Sequence, residues 1–463
     1  MPSLNPLIHN HPLTRSSLRL LAYASLLFLS SCELYHPSPL EPSSHLESWH
    51  SRSAGDESVL DFAKRMSRSG PDKVYFNPAD GLSLPEAEII ALVYNPDLRI
   101  SRLREKITEA SAQHAGRWDD PRFEVNVLKV RDAVPDSWIL GSSLSLTIPL
   151  SGRLAVEKSR AVAQHHAKLA KVAEDEWQAI LELRQAWLSW SANQLRLSET
   201  QQMVKSLETI SNTAAKLAEG GELPRTEAKL FTIELQSRKA EVNKLKGQVR
   251  EDEQAIRSTM GLSPRAMLGL RPTMYLADSR QPGKLAQTNA KLIRLQLEYE
   301  SAELELKREI RKQYPDIEIG PSVEEDEGQS KIGGIGMIPI PLLNSNKGGI
   351  ATAKTQRELA RAAFETELER TTGKLSALKE RLAGARKHRI SLDTELLPLV
   401  DEQVKDAKRL LELGEGGSLV LLESLVRSHE AKLHLIEARN DESRAQSEIQ
   451  HLQGPAPWSV KIK

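Results

Sequence analysis

Few residues in this sequence have the types and spacing that chemistry requires. His165 and His166 are adjacent, and imidazoles can bind a metal ion, but consecutive helical positions point about 100° apart. We therefore expect two exposed histidines and no metal site. The sequence contains no motif for a phosphate-binding loop, a zinc hydrolase or a serine nucleophile elbow. These observations indicate a protein that is not an enzyme and needs no cofactor.

The one cysteine, Cys32, lies in a context that points to lipid attachment. Arg15 and Arg19 precede a short apolar run over residues 20–29, and Leu-Ser-Ser-Cys follows. A basic start, a short apolar core and small residues before the cut are typical of a secretory signal too short to span a bilayer. The last four residues resemble a bacterial lipobox, which predicts lipidation of Cys32. The alternative is a signal peptide that happens to end near a cysteine.

Composition and charge exclude other classes of protein. Aromatic residues make up only 4% of the 463 residues, charged residues 27%, and Lys plus Arg equals Asp plus Glu at 63 each. Such a composition with helical periodicity indicates long helices or coiled coil. A balanced charge offers no basic surface for a duplex, so we expect no nucleic-acid partner.

The sequence after about residue 80 is duplicated. Landmarks recur in the same order at an offset of about 195 residues, which indicates two copies of one structural plan. The matching pairs are Asn95-Pro96-Asp97-Leu98 with Asn289-Ala290-Lys291-Leu292, Pro121-Arg122-Phe123-Glu124 with Pro315-Asp316-Ile317-Glu318, Ile148-Pro149-Leu150 with Ile340-Pro341-Leu342, and Gly221 with Gly417.

Each copy begins with one helix, over residues 84–117 or 284–312, and continues with two strands. Apolar and polar residues alternate over residues 123–127, 143–148 and 317–320, and a less regular, glycine-rich strand is expected over residues 335–340. Period-two alternation predicts strands with one apolar and one polar face.

A very long helix follows each strand pair, over residues 152–219 and 347–413. A helix of this length measures about 100 Å, which no ordinary globular domain accommodates. Pro398 is expected to bend the second one because it removes a backbone donor. Glycine turns, which supply left-handed dihedral angles, close each hairpin before a returning helix over residues 225–260 or 419–453.

Four strands are too few to close a barrel. In a bilayer, an open sheet edge leaves unpaired backbone groups, and single-chain barrels need at least about eight strands. Three chains would supply twelve strands, so the strand count predicts a homotrimer. A soluble sheet would show the same alternation, but an export signal and two such long helices accompany this one.

The order of these elements resembles that of the TolC-like outer membrane efflux proteins. Residues 82–98 resemble the opening motif of that family. The heavy-metal efflux (CzcC-like) branch is the most similar, through residues 338–348 at the second strand exit and residues 411–423 at the second tip. The resemblance covers about residues 80–454, although the first tip departs from the family pattern after its glycine.

The resemblance implies a mainly α fold with a small β part. Duplicated helical hairpins would form a trimeric periplasmic α-barrel, and four strands per chain would share a 12-stranded transmembrane β-barrel. The implied protein is an outer-membrane exit duct that works with a periplasmic adaptor and an inner-membrane pump of the resistance-nodulation-division type. The turn residues that would meet the adaptor are Gly220, Gly221, Glu222, Leu223, Gly416, Gly417, Ser418 and Leu419.

An acidic run lies between the last two predicted strands, and it consists of Glu324, Glu325, Asp326 and Glu327. Such a run is usually a solvated loop. In this topology it would instead lie at the extracellular mouth, where three copies could favour the exit of cations such as heavy metals.

We divide the chain accordingly into a signal peptide (1–31), a lipidated tether (32–80), a first repeat (81–262), a linker (263–283), a second repeat (284–454) and a tail (455–463). The tether is expected to lie along the surface or to be partly disordered because it is rich in Ser, Pro and His. Two alternatives remain, a coiled-coil lipoprotein tether and a periplasmic adaptor subunit. Neither explains paired amphipathic strands at the same place in both copies.

Overall fold

The computed structural model describes residues 34–69, 76–129, 138–276, 284–326, 329–413 and 417–454. The signal segment, Cys32, Glu327 and Gly416 lie outside the described residues, so the expectations for them stay predictions. The chain divides into two units, Met1–Ser51 and Arg52–Lys463. The first unit contains helix α1 (Pro42–His50), in which the Trp49 ring stacks on His50.

The expectation that residues before 80 lack regular structure is wrong for the start of the second unit. Helix α2 (Glu57–Ser69) buries Val59 and Ala63 completely or nearly so, and Phe62 packs beside them. These residues follow the helical spacing of i, i+3 and i+4, which the surrounding polar composition concealed. A single 3₁₀ turn, Pro78–Asp80, follows.

The first copy runs through α3 (Leu84–Tyr94), α4 (Pro96–His114), β1 (Arg122–Lys129), β2 (Trp138–Ile148), α5 (Arg153–Glu219) and α6 (Arg225–Thr259). The second runs through α7 (Leu285–Thr288), α8 (Ala290–Arg311), β3 (Ile317–Asp326), β4 (Gln329–Met337), α9 (Lys347–Ser391), α10 (Leu397–Glu412) and α11 (Ser418–Gln453). The same order of helices and strands therefore occurs twice.

The prediction of one opening helix per copy is wrong, because an asparagine interrupts it in both. Asn95 has extended backbone angles, and its side chain accepts hydrogen bonds from the first N–H groups of α4. Asn289 caps α8 in the same way. In the first copy Pro96 follows directly, and a residue before proline avoids the helical conformation.

Each of these two asparagines also links the start of its repeat to the end of the same repeat. The Asn95 amide donates to the carbonyl of Thr259 at 2.9 Å, and the Asn289 amide donates to that of Leu452 at 2.8 Å. The next glycines, Gly261 and Gly454, have φ angles of 73° and 39°, and a Cβ on either would lie about 2 Å from a backbone oxygen of the opening helix. Only glycine fits at such an approach. We call each of these contacts the repeat joint.

The long helices differ between the copies. Helix α5 is unbroken over 67 residues, as predicted, and at the usual rise per residue it measures about 100 Å. In the second copy, a π-helical turn, Leu392–Leu396, separates α9 from α10, and Pro398 lies in the first turn of α10. Pro398 has no backbone N–H to donate, and the π turn before it removes the need for that hydrogen bond. The helix therefore continues beyond the proline.

The four strands form one antiparallel sheet in the order β1-β2-β3-β4. Strand β4 begins and ends earlier than predicted, because Pro339 and Pro341 cannot donate to a ladder. The main helical core lies against α3, α5 and α6, where Trp187 and Trp190 are fully buried edge to face. Among the described residues, no helix combines the length and the apolar character needed to cross a bilayer.

Candidate functional site: two hairpin tips and an amphipathic sheet

The first hairpin tip is closed by a glycine in a left-handed conformation, as the sequence predicts. Gly221 has a φ of 80°. Its N–H donates to the Ala218 carbonyl at 3.3 Å, and the Glu222 N–H donates to the Leu217 carbonyl at 2.9 Å. This pair of bonds is the Schellman motif, which satisfies the last carbonyls of α5. The tip geometry therefore depends on Gly221.

In the second hairpin tip, whose described part begins at Gly417, this glycine does not supply the left-handed conformation expected of a glycine turn. This residue has a φ of −74° and a ψ of 135°, the extended geometry of a helix N-cap, and it precedes α11. A Cβ added there would meet no atom within 4 Å. Gly417 thus starts a helix, whereas Gly221 ends one.

The two tips pack against each other within the chain. The Ser418 hydroxyl donates to the Glu227 carboxylate at 2.5 Å. Leu223 and Leu422 pack together against the buried Phe231. The structure therefore brings together Leu223 and Ser418 from the predicted tip set, whereas Gly220, Gly221 and Glu222 face solvent.

Among the described residues, the two tips expose different kinds of side chain. The first tip presents Glu219 and Glu222, whereas the second presents an apolar group that the sequence interpretation missed apart from Leu419. Its members are Leu410, Leu411, Leu413, Leu419 and Val420. Glu227 was also missed, because an acidic residue in the first turn of a helix is too common to signal a contact.

A buried histidine lies behind the tips. His429 of α11 is buried, and its Nε2 atom has no hydrogen-bond partner among the described residues. Burial, and to a lesser degree the nearby Arg238 guanidinium, lowers the pKa of His429 to about 4. Arg238 itself is paired with Glu234 at 2.6 Å and Glu241 at 2.8 Å. His429 is therefore neutral at pH 7.

The sheet has one apolar and one polar face. Directly paired residues share a face, so Phe123 lies with Leu144 and Val127 lies with Leu140. These side chains are all exposed in the single chain. On the opposite face the Ser145 hydroxyl donates to Glu318 at 2.5 Å. A soluble protein would cover such an apolar face with a second layer, and no described element does so here.

Three of the four residues of the acidic run lie in a strand and not in a loop, contrary to the usual interpretation. Glu324, Glu325 and Asp326 are the last residues of β3 and pair with Lys331, Ser330 and Gln329 of β4. Strand alternation places Glu324 and Asp326 on the polar face and Glu325 on the apolar face. The Lys331 ammonium lies 2.7 Å from Asp326 and 3.9 Å from Glu324. It offsets part of the negative charge.

The corner between each strand pair and its long helix uses a left-handed residue, Gly152 in the first copy and Asn346 in the second. In the first copy, Arg153 binds Asp316 at 2.9 Å. In the second, the Asn346 amide donates to Glu309 at 2.7 Å. Burial alone would raise the pKa of Glu309, but hydrogen bonds from Asn346, Lys312 and Arg308 outweigh it and lower the pKa to about 2.

The adjacent histidines are half-buried, not exposed as expected. His165 Nδ1 lies 3.3 Å from a Glu105 carboxylate oxygen, because α4 packs on α5 at that point. The rings of His165 and His166 are 6.0 Å apart. Within the part of the chain that the structure describes, no three His, Cys, Asp or Glu side chains are placed to hold a metal ion.

Comparison with known proteins adds a family and a fold. Residues 90–262 match the model of the family described as outer membrane efflux protein, which is less than half of the chain. No curated protein sequence matches significantly.

Several solved structures are similar in fold. The outer-membrane channel OprN is 16% identical, with a TM-score of 0.72 over 91% of this chain and 99% of that one. The outer membrane protein VceC from Vibrio cholerae is 14% identical, with a TM-score of 0.68 over 85% and 98%. The CmeC outer membrane channel of Campylobacter jejuni is 12% identical, with a TM-score of 0.65 over 92% and 94%.

Proposed function

We propose that this chain is an outer membrane efflux protein and that three copies form an exit duct across the outer membrane. The observation that carries the proposal is the open sheet, which has an exposed apolar face and is joined to two long helical hairpins. The partial family match and the fold shared with outer-membrane channels support it. The duct performs no reaction.

The two edges of the sheet favour closure with other copies. Within the described residues, β1 and β4 each pair on one side only. An unpaired strand edge in hydrocarbon leaves backbone groups unsatisfied at several kcal/mol each. Twelve strands from three chains would close the barrel. Exposed aromatic residues lie near both ends of the strands, Trp118 and Tyr314 at one end and Trp138 at the other, as in the girdles of membrane barrels.

The helices favour the same assembly. Helix α8 packs on α9 of its own copy and on α5 of the first copy, where Arg294 binds Glu174 at 2.5 Å. The equivalent helix of the first copy, α4, packs mainly on α5. An apolar stripe on α4 consequently stays exposed, formed by Ile100, Leu103 and Ile107. We infer that α9 of a neighbouring copy covers this stripe, which repeats the internal interface between subunits.

The partners and cargo follow from the resemblance of the sequence. The tips would meet a periplasmic adaptor, and an inner-membrane pump of the resistance-nodulation-division type would supply the energy. Glu324 and Asp326 from three copies would surround the pore at its outer end and favour cations, including heavy-metal ions. Lipid attachment at Cys32 would anchor each subunit in the outer membrane.

A coiled-coil tether or an adaptor subunit explains less of the structure. Either would leave the apolar face of the sheet in contact with water, and exposed apolar patches of that size mark interaction surfaces. A bilayer covers the face without any additional protein.

The assembly can be tested by measuring the mass of the detergent-solubilised protein. We expect a trimer, and Leu103→Lys should convert it to monomer because it places a charge in the covered stripe. Met267→Lys, at a fully exposed position in the linker, is the matched control and should remain a trimer. A wild-type protein that is a stable monomer would refute the duct.

A further inference from the structure

The segment that leaves β4 carries an exposed apolar surface that the duct does not explain. Residues 338–343, which we call the wedge, present four exposed apolar side chains, Ile338, Ile340, Leu342 and Leu343. Leu342 is 82% exposed and Leu343 is 97% exposed. A contiguous exposed apolar loop indicates a surface that binds something.

The wedge continues the apolar face of the sheet. Ile332, at an even-numbered position of β4, pairs with Val323 on that face, and Ile338 and Ile340 follow at even-numbered positions beyond the last paired residue. The intervening residues Pro339 and Pro341 lack a backbone donor. The wedge therefore extends the apolar band without offering a strand edge to another chain.

Hydrogen bonds on its inner side fix the wedge in place. The Leu342 N–H donates to the Ile340 carbonyl at 2.9 Å, and the Ser345 hydroxyl donates to the Pro341 carbonyl at 2.8 Å. The Gln313 side-chain amide donates a hydrogen bond to the Ser345 carbonyl at 3.2 Å. These bonds engage the Leu342 N–H and the carbonyls of Ile340 and Pro341, and the side chains of Leu342 and Leu343 remain exposed.

The first copy provides an internal control for what covers the wedge. Leu150 follows Ile-Pro in the first copy just as Leu342 does in the second. The left-handed corner residue comes two residues after Leu150 but four residues after Leu342, so the second copy has a two-residue insertion that includes Leu343. Leu150 lies beside the start of β3, its neighbouring strand, and is still 64% exposed. A strand from another copy beside β4 would leave Leu342 exposed in the same way.

We propose that the wedge inserts into the lipid leaflet at the helical end of the sheet, where it anchors the second copy to phospholipid. A cavity of about 450 Å³ beside it is lined by the apolar Ile340 and Leu343 and by polar residues that include Lys312, whose ammonium donates to Glu309 at 2.6 Å. This inference rests on the proposed function, because it requires the sheet to lie in a bilayer.

The test uses the full-length protein in nanodiscs of phosphatidylethanolamine and phosphatidylglycerol. A photoreactive benzoylphenylalanine is placed at Leu343, at Val125 on the apolar face of the sheet, or at Met267, which is as exposed as Leu343 but is separated from the sheet by the length of α4. After irradiation, mass spectrometry identifies phospholipid adducts, and denaturing electrophoresis identifies adducts between two chains.

We expect phospholipid adducts at Leu343 and Val125 and none at Met267. Lipid adducts at Val125 without any at Leu343 would overturn the wedge while leaving the membrane sheet intact. Adducts between chains at Leu343 would also overturn it, because a second copy would then be the occupant. An absence of lipid adducts at both Val125 and Leu343 would refute the proposed function together with the inference.

Discussion

The two hairpins of the chain follow one plan but differ in how completely the chain itself covers them. Helix α5 buries large side chains along much of its length, including Trp177, Trp187 and Leu207. Helix α9 buries only Ala353, Thr371 and Leu378. Helix α5 is therefore surrounded by other helices of its own chain, whereas α9 presents most of its surface outward. Duplicated sequences thus reach different environments within one chain, because α5 packs against helices of both copies and α9 packs mainly against helices of its own copy.

The same contrast extends to backbone geometry. The first long helix is regular and ends at a Schellman glycine, whereas the second contains a π-helical turn and begins its return with an extended glycine. A π turn accommodates one extra residue. This irregular turn has no counterpart in α5, which is helical throughout its 67 residues.

The largest effect is expected from introducing a proline into the first long helix, compared with removing the proline of the second. Val204→Pro places a proline inside the regular part of α5 and should lower the free energy of unfolding by about 3 kcal/mol or more. Pro398→Ala should change it by less than about 1 kcal/mol, because the π turn already accommodates the missing donor. Denaturant unfolding followed by circular dichroism measures both. Equal losses in the two variants would show that the helices are not different in this respect.

The two returning helices, α6 and α11, should differ in how much acid lowers their contribution to the free energy of unfolding. His429 and His451, both on α11, have pKa values lowered by burial to about 4, and the aligned positions of α6 carry no histidine. The unfolded chain binds these protons near pH 6.5 and the folded chain does not. The stability is therefore complete above pH 6.5 and is lost as the pH falls towards 4.

Each histidine should contribute a loss of about 2 kcal/mol between pH 7 and pH 5. His429→Leu should remove the part of this pH-dependent loss that comes from His429. The denaturant midpoints of unfolding at pH 7 and pH 5 would show the difference. An unchanged pH dependence in this variant would mean that His429 is already protonated or accessible in the folded protein. The exposed His434→Leu is the matched control on the same helix.

The smallest effect concerns the tips. Gly221→Ala should destabilise the protein by about 1–2 kcal/mol, because an L-residue is strained at a φ of 80°. Gly417→Ala should change stability by no more than about 0.5 kcal/mol, because its backbone is extended and a Cβ meets open space. Thermal unfolding measures the difference. A loss at Gly417 as large as that at Gly221 would contradict the tip geometries.

The tip variants also test the role proposed for the turns. Gly221→Val should reduce export of the cargo while leaving trimer formation intact, whereas Gly417→Val should have little effect on either. Drug or metal tolerance of cells carrying each variant provides the measurement. Full export by the double variant would argue against adaptor contact at the turns.

The features that could be predicted from the sequence are those set by local periodicity. Alternation over Phe123, Val125 and Val127 correctly predicted a strand, and the absence of proline predicted the whole of α5. The break at Asn95 was missed although Pro96 signals it, and the contact of the Asn95 amide with Thr259 was not predictable because Thr259 is far away in sequence. Glu324 could not be placed in a strand from its own neighbours, since acidic residues ordinarily favour loops. Leu343 gave no signal in the sequence because the two-residue insertion to which it belongs has no periodic pattern.

The two repeat joints allow the gene to be divided between the repeats without loss of either contact. Each joint connects the start and the end of the same repeat, through Asn95 and Thr259 or through Asn289 and Leu452, and neither depends on the linker between them. Two polypeptides split within residues 277–283 would keep both closures intact. Such half-chains, co-expressed, should reassemble by fragment complementation.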